Sequence, residues 1–432
     1  MKKFLLITVT LILALLIPGC SANPPAYLIP NPQEKPLWTE VSFIELDFDP
    51  QLVQVSDGIA LEGFGQLLGV AAVAEETHTL FALGWEEGLA SFSILDLDSV
   101  KVRYLGTVSL KGPAPTLKAV AWPQVLLEAR DEEGNFSWVL LDFSGEQGKI
   151  LWQDNAWVPP GLRRQPVWFN GEGWYFGFVD GPFFTDILKG ETFSEFQQGL
   201  NPVENSWPYW AGGAVGSHLY LLPLKDGTVL QNLKEDSQVL LNLTEELVWN
   251  RDNTQLAWLQ DGSLGLADTA GETRVIINTG IVPQTPLWSS ESDTLYFLRG
   301  SEDFLGSCCE ELWSWTEETG YAQLFSLPGN WARWRLLAAS DDAVLARAGD
   351  NGDLLVYFDL VDKQYYELKT SEYEWQDGTL IALLEGQLVR LSPAVGCRSL
   401  LKDAGDVKIL KLINQFLFIS QKGDVLIKQL YF

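Results

Sequence analysis

The sequence predicts an all-β fold made of repeated four-stranded units, and three observations predict it. Residues 249–258 (Trp-Asn-Arg-Asp-Asn-Thr-Gln-Leu-Ala-Trp) and 288–297 (Trp-Ser-Ser-Glu-Ser-Asp-Thr-Leu-Tyr-Phe) align without a gap. Each has a Trp closing one strand, a polar turn and a short apolar strand, and the second follows the first after about 40 residues. From residue 38 onward, short runs rich in Val, Leu, Ile, Phe, Tyr and Trp alternate with Gly, Asp and Asn, the pattern of strands and tight turns. Nowhere does that region carry a long stretch with the 3.6-residue period of an amphipathic helix. A unit of this kind buries its faces only by stacking on its neighbours. The expected architecture is therefore a single β-propeller of about eight blades, with seven to nine allowed.

Grouped in fours, the strands give units over 69–110 and 117–152, the second turning at 131–135. A third is built on 166–168 and 174–179, and a fourth on 209–210, 219–224 and 239–243. The two aligned segments begin the fifth and sixth, the sixth finishing through 312–315 and 322–327. A seventh runs from Trp334 to 365–368 with a turn at 350–353, and an eighth holds Trp375, 380–384 and 388–391. Three strands remain, at 407–413, 415–419 and 425–431, where four are expected. The unclaimed N-terminal strand at 41–48 is the expected fourth, so that both chain ends share a sheet and close the ring. Trp122, Trp168, Trp210, Trp249, Trp288, Trp334 and Trp375 recur near the end of the first strand of successive units. That recurrence assigns them to packing between blades, where a large ring fills a widening wedge.

Residues 1–19 read as an export signal: Lys2 and Lys3 precede an apolar run at 4–17, too short to span a bilayer comfortably. Five prolines between Ser21 and Leu37 make residues 20–37 an extended spacer, and residues 38–432 form the folded domain. The formal net charge of −28, from 29 basic and 57 acidic residues, repels phosphate backbones, and no basic run offsets it. Nucleic acid is thereby excluded as a partner, and a monomer is expected. Of the four cysteines, Cys308, Cys309 and Cys397 show no zinc-like spacing. Unpaired thiols are expected ahead of a strained bridge between the adjacent pair.

Two resemblances add to this reading. Ile17-Pro18-Gly19-Cys20 resembles the processing site of bacterial lipoproteins, apart from Pro18 where that family prefers Ala or Ser. The resemblance implies acylation of Cys20 and an exported protein, lipid-anchored to the bacterial cell membrane and facing its extracytoplasmic side. Residues 249–258 resemble the Trp-Ser-Pro-Asp-Gly-x-x-Leu-Ala-Phe repeat of TolB-like, WD40-like propellers, matching at Trp249, Asp252, Leu256 and Ala257, and residues 288–297 fit the same frame with Ser289 agreeing. Some 20 residues carry this second resemblance, which bears on fold and hardly on function.

Catalytic material is scarce. The two histidines, His78 and His218, sit in turn-like surroundings, and no Gly-x-Ser-x-Gly elbow precedes a helix. Two histidines exclude a His-rich metal site, and the Asp350-Asn351-Gly352-Asp353 turn lacks the remaining positions of a calcium loop. No metal and no cofactor are expected. Three long connections, 153–165, 197–207 and 299–311, fall on one face of the expected ring and carry Trp157, Arg163, Arg164, Trp207, Asp303 and Phe304. Aromatics with arginine are the composition of interaction hot spots. The expectation is a non-catalytic binding or assembly module for a protein or glycan partner. The alternatives are an envelope hydrolase or lyase using carboxylates in the funnel of the ring, and a sensory ectodomain.

Overall fold

The computed structural model describes residues 42–44 and 50–153 apart from short turns, strands within 167–241, and 247–430 apart from short turns. Among the described residues there is no helix, and so none that is long and apolar enough to cross a membrane. The described strands form nine antiparallel sheets, seven of four strands and two of five. Within each, consecutive strands pair with one another, and the two five-stranded sheets add a strand or hairpin from earlier in the chain at one edge, giving a propeller-like build.

Why strands form here, and why they stack, is visible in their burial. In the 335–368 sheet the two middle strands, Ala343–Ala348 and Leu354–Asp359, are buried along nearly their whole length. Its outer strand, Gln364–Leu368, is mostly exposed. A strand buried on both faces needs apolar residues at every position rather than alternation, and Val344-Leu345-Ala346 facing Val356-Tyr357-Phe358 supplies them. The covering faces belong to neighbouring sheets. Phe81 and Phe92 pack with Val125, Leu127 and Leu141 of the next sheet, and Tyr296 and Leu312 pack with Val344, Val356 and Phe358. Each such side chain contributes roughly 1.5–3 kcal/mol.

The aligned Trp segments work as read. Trp249 is buried between the 209–241 and 247–278 sheets, and Trp288 between the 247–278 and 287–326 sheets. Trp288 Nε1 donates to the carbonyl of Val248 at 3.0 Å, tying one first strand to the one before it. The polar turns after each Trp form a second tie. Asn250 accepts N–H bonds from Thr254 and Gln255 and donates to Asp293 in the next sheet at 2.9 Å. Ser289 likewise donates to Asp341, one sheet further on, at 2.7 Å. Trp334 departs from the expected phase: it precedes the strand Arg335–Ala339, and Ala339 stands where the aligned segments place Trp. Trp334 is nonetheless fully buried, against Phe358.

Two further expectations are corrected. The strand expected at 41–48 was to join the C-terminal strands. Instead Ser42–Ile44 pairs with Lys101–Ser109 at the outer edge of the 66–109 sheet. That edge is open because Lys101–Ser109 is the fourth strand of its meander and pairs with Leu89–Asp96 on its other side. The strands that do pair with the C-terminal part are Gln51–Val55 and Gly58–Glu62, through Ile59↔Ile427, Ala60↔Leu426 and Leu61↔Val425. The connection expected at 299–311 is a hairpin. Leu295–Asp303 and Gly306–Thr316 pair out to Asp303↔Gly306, with a bulge after Arg299. Arg299 and Glu311 flank that bulge, and the Arg299 guanidinium lies 5.1 Å above the Trp313 ring.

Candidate functional site

A cavity of about 690 Å³ opens where five sheets bring their turns together. His78, Glu291, Asp342, Asp377 and Asn414 come from the connections between first and second strands of the 66–109, 287–326, 335–368, 373–401 and 407–429 sheets. Ser392, Pro393 and Val395 come from a third-to-fourth turn. Tight turns let so many chain segments meet. Asp377 and Gly378 have φ of 44° and 76°, and Asn414 and Gln415 of 44° and 70°, the two-residue turn whose twist suits a hairpin. Gly378 is required in its place: a Cβ there would lie 2.6 Å from Ser340 Oγ of the neighbouring sheet.

Hydrogen bonds between sheets hold the wall. Tyr357 donates to the Gly378 carbonyl at 2.7 Å, and Tyr296 to the Ser340 carbonyl at 3.0 Å. Burial pushes both phenols well above their ordinary range, so they remain neutral donors. Asp359, fully buried, accepts N–H bonds from Val361 and Asp362 and a third from Ala394 across the junction. His78 meets Asp98 at 2.6 Å and sets its ring edge-on to Phe416 at 5.0 Å, joining the 66–109 and 407–429 sheets.

The floor of the cavity is polar. Gln376, Thr379, Arg390 and Ser392 all belong to the 373–401 sheet. Ladder pairs Gln376↔Thr379 and Ile381↔Arg390 place these residues on one face of that sheet, since directly opposed residues share a face and alternate residues return to it. Ser392 Oγ and Gln376 Oε1 are buried without a hydrogen-bond partner. Arg390 stands directly opposite Arg398 in the ladder. Burial, with that like charge second, holds its pKa below the ordinary arginine value, though the guanidinium stays charged. Such a set can hydrogen-bond a polar ligand from both donors and acceptors. Among the described residues no group of three or more His, Cys, Asp or Glu side chains is arranged to hold a metal ion.

Most of the site expected from the sequence is outside the described residues. Cys20, Trp157, Arg163, Arg164, Trp207 and Phe304 fall outside the described residues, as do His218 and the turns at 131–135 and 350–353. Asp303 ends the strand Leu295–Asp303, at the opposite end of the strands from the cavity. Loop length and composition drew attention to that end. The signal that would have found the cavity is subtler: an arginine in the middle of the strand Gln387–Ser392, where the equivalent strands are mostly apolar.

No family model matches the chain, and no curated protein matches it. Several solved structures do. The chain is similar to TolB from Acinetobacter baumannii at 12% identity, covering 74% of this chain and 79% of that one with a TM-score of 0.30. It is similar to the tricorn protease at 11% identity, covering 78% of this chain but only 43% of the other, with a TM-score of 0.33. A structure from work on two prolyl endopeptidases shares 12% identity over 77% of this chain and 55% of its own, with a TM-score of 0.42. Two of these three are peptidases. The expectation of a protein without catalysis is corrected on that finding: the solved structures to which the chain is similar include enzymes.

Proposed function

We propose that this chain is an exported β-propeller, lipid-anchored at Cys20, whose nine sheets form one ring and whose polar cavity binds a protein or glycan partner. The observation that carries the binding reading is the convergence of turns from five sheets on one cavity with buried, unpartnered polar atoms in its floor. Closure of the ring is supported by the sheet that joins 51–62 to 407–429 and packs on one side against the 66–109 sheet and on the other against the 373–401 sheet. Export and anchoring are supported by the apolar leader, Cys20 and the proline-rich spacer. The charge of −28 favours a soluble monomer and disfavours nucleic acid.

A photo-crosslinking amino acid placed at Asp377 in intact cells tests the binding site, with the same probe at exposed Tyr321 on an outer strand as control. Capture of a discrete partner at position 377 and none at 321 is the expected result. Equal capture at both, or at neither, would remove the cavity from consideration. Mass spectrometry of the mature N-terminus tests the anchor: a diacylglyceryl mass on Cys20 is expected, and a start elsewhere would end that part of the reading.

A second reading is hydrolysis, favoured by one observation: Glu291, Asp342 and Asp377 all line the cavity, and paired carboxylates are the groups that glycoside hydrolysis uses. Release of sugar from a panel of polysaccharides, lost on Asp342→Asn, would support it.

A further inference from the structure

We propose that the cavity takes a small zwitterion of the amino-acid or short-peptide class, its carboxylate on Arg390 and its ammonium toward Glu291, Asp342 and Asp377. This rests on reading the cavity as a binding site, as above, and names its ligand.

The repeat itself marks the place. In five sheets the third strand ends in Asp96, Asp142, Asp268, Thr316 or Asp359. In each, that side chain accepts a backbone N–H of the turn that follows: from Asp98 and Ser99, from Ser144, from Ala270 and Glu272, from Thr319, and from Val361 and Asp362. This is a local device that side chains of this type perform well. In the 373–401 sheet the same position is Ser392, 4% exposed, and its hydroxyl makes no such bond. Two residues earlier the same five strands carry Ile94, Leu140, Leu266, Ser314 and Tyr357. Here the residue is Arg390. Both positions that depart from the pattern face the cavity, together with Gln376 and its unpartnered oxygen.

Turn capping does not account for Ser392 and Gln376, whose buried oxygens lack a partner. Arginine opposite arginine in a ladder is unfavourable, and buried polar atoms without partners are costly to keep. A ligand carboxylate relieves both: it fits the planar fork of a guanidinium with two parallel bonds and lies near the Ser392 hydroxyl. The charges around it narrow the class. Glu291, Asp342 and Asp377 are more exposed than Arg390 and so form the outer part of the lining. They repel a dianion such as phosphate, and attract an ammonium held a few bonds from the carboxylate. The volume of about 690 Å³ admits a short peptide.

The test is titration calorimetry on the full mature chain with four probes: tri-alanine, its N-acetyl form, its C-terminal amide, and inorganic phosphate. Tri-alanine is expected to bind, each blocked form to bind on the order of tenfold more weakly or worse, and phosphate not to bind. Arg390→Leu installs the residue type found at Leu140 and Leu266. It is expected to remain folded while losing tri-alanine affinity by about tenfold or more. Ser392→Asp, which restores the turn-capping residue, is expected to raise the midpoint and weaken binding as well.

The proposal is overturned if tri-alanine fails to bind. It is overturned equally if the amide or phosphate binds as well as the zwitterion, or if Arg390→Leu binds tri-alanine like the parent chain. Crosslinking at Asp377 separates the two readings: capture of a partner there without tri-alanine binding sinks the ligand class and leaves the binding site standing.

Discussion

The 335–368 and 373–401 sheets lie side by side and follow the same four-strand plan, yet their interiors differ. Where the first puts Ala343, Tyr357 and Asp359, the second puts Thr379, Arg390 and Ser392. The first set is satisfied: Tyr357 and Asp359 spend their hydrogen bonds on Gly378, Val361, Asp362 and Ala394. The second leaves Ser392 Oγ without a partner. A repeat states its own structural rule, and a unit that breaks the rule and leaves a buried hydroxyl unpartnered points to function.

Substitutions in the two sheets test that contrast. The largest effect is expected of Trp334→Ala, which empties a fully buried ring position beside Phe358. It should cost about 3–5 kcal/mol in denaturant unfolding; a loss under 1 kcal/mol would mean that the 335–368 sheet is not packed as its burial indicates. Next comes the pair Asp359→Ala and Ser392→Ala, at the same place in the two sheets. The first strips three backbone N–H groups of their acceptor and should cost about 1–3 kcal/mol. The second removes an unpartnered hydroxyl and should stay within about 0.5 kcal/mol of the parent. Equal losses would erase the distinction drawn here.

Gly378→Ala probes the joint between the two sheets. A Cβ at φ +76° is strained and meets Ser340 Oγ, so about 1–2 kcal/mol is expected, with the flexible serine side chain absorbing part of the clash. The smallest effect is one of pH, at a site where a buried charge is fully matched. Glu128, its side chain 3% exposed, is held by Lys118 at 3.0 Å and Arg130 at 2.9 Å. Burial alone would raise its carboxyl, but the hydrogen bonds and charges of Lys118 and Arg130 outweigh it and hold the group below the usual range. With the folded value depressed, the contribution is present above the ordinary glutamate value of about 4.3 and is lost as pH falls through the folded one. Unfolding midpoints measured from pH 7 down to 3 should fall less steeply for Glu128→Gln than for the parent.

Much of the fold was legible in the sequence because stacked sheets leave a regular trace. Apolar runs such as 343–348 and 354–359 mark strands covered on both faces, and the Trp-led turns at 249 and 288 mark the joins between units. The hairpin at 51–62 was missed: Gln51, Gln54 and Glu62 interrupt its apolar residues, and its partner is some 370 residues away, beyond the reach of any local pattern. The phase of Trp334 was misread because an aromatic residue fills the same wedge from either end of a short strand. The cavity was illegible for another reason. Its walls come from five separate turns whose meeting depends on the stacking, and each contributes ordinary turn residues such as Asp377, Asn414 and Asp342. Only Arg390 stands out in one dimension, and a single arginine in a strand reads as surface until its neighbours are known.

The pairing of Gly58–Glu62 with Asp424–Gln429 has a consequence for how the molecule is made. During synthesis the early hairpin emerges with one side unmatched, and its mate leaves the ribosome some 370 residues later. All of that intervening length must therefore be released before the sheet can be completed. Until then Gly58–Glu62 presents an unpaired edge, the kind of surface that invites pairing with another chain.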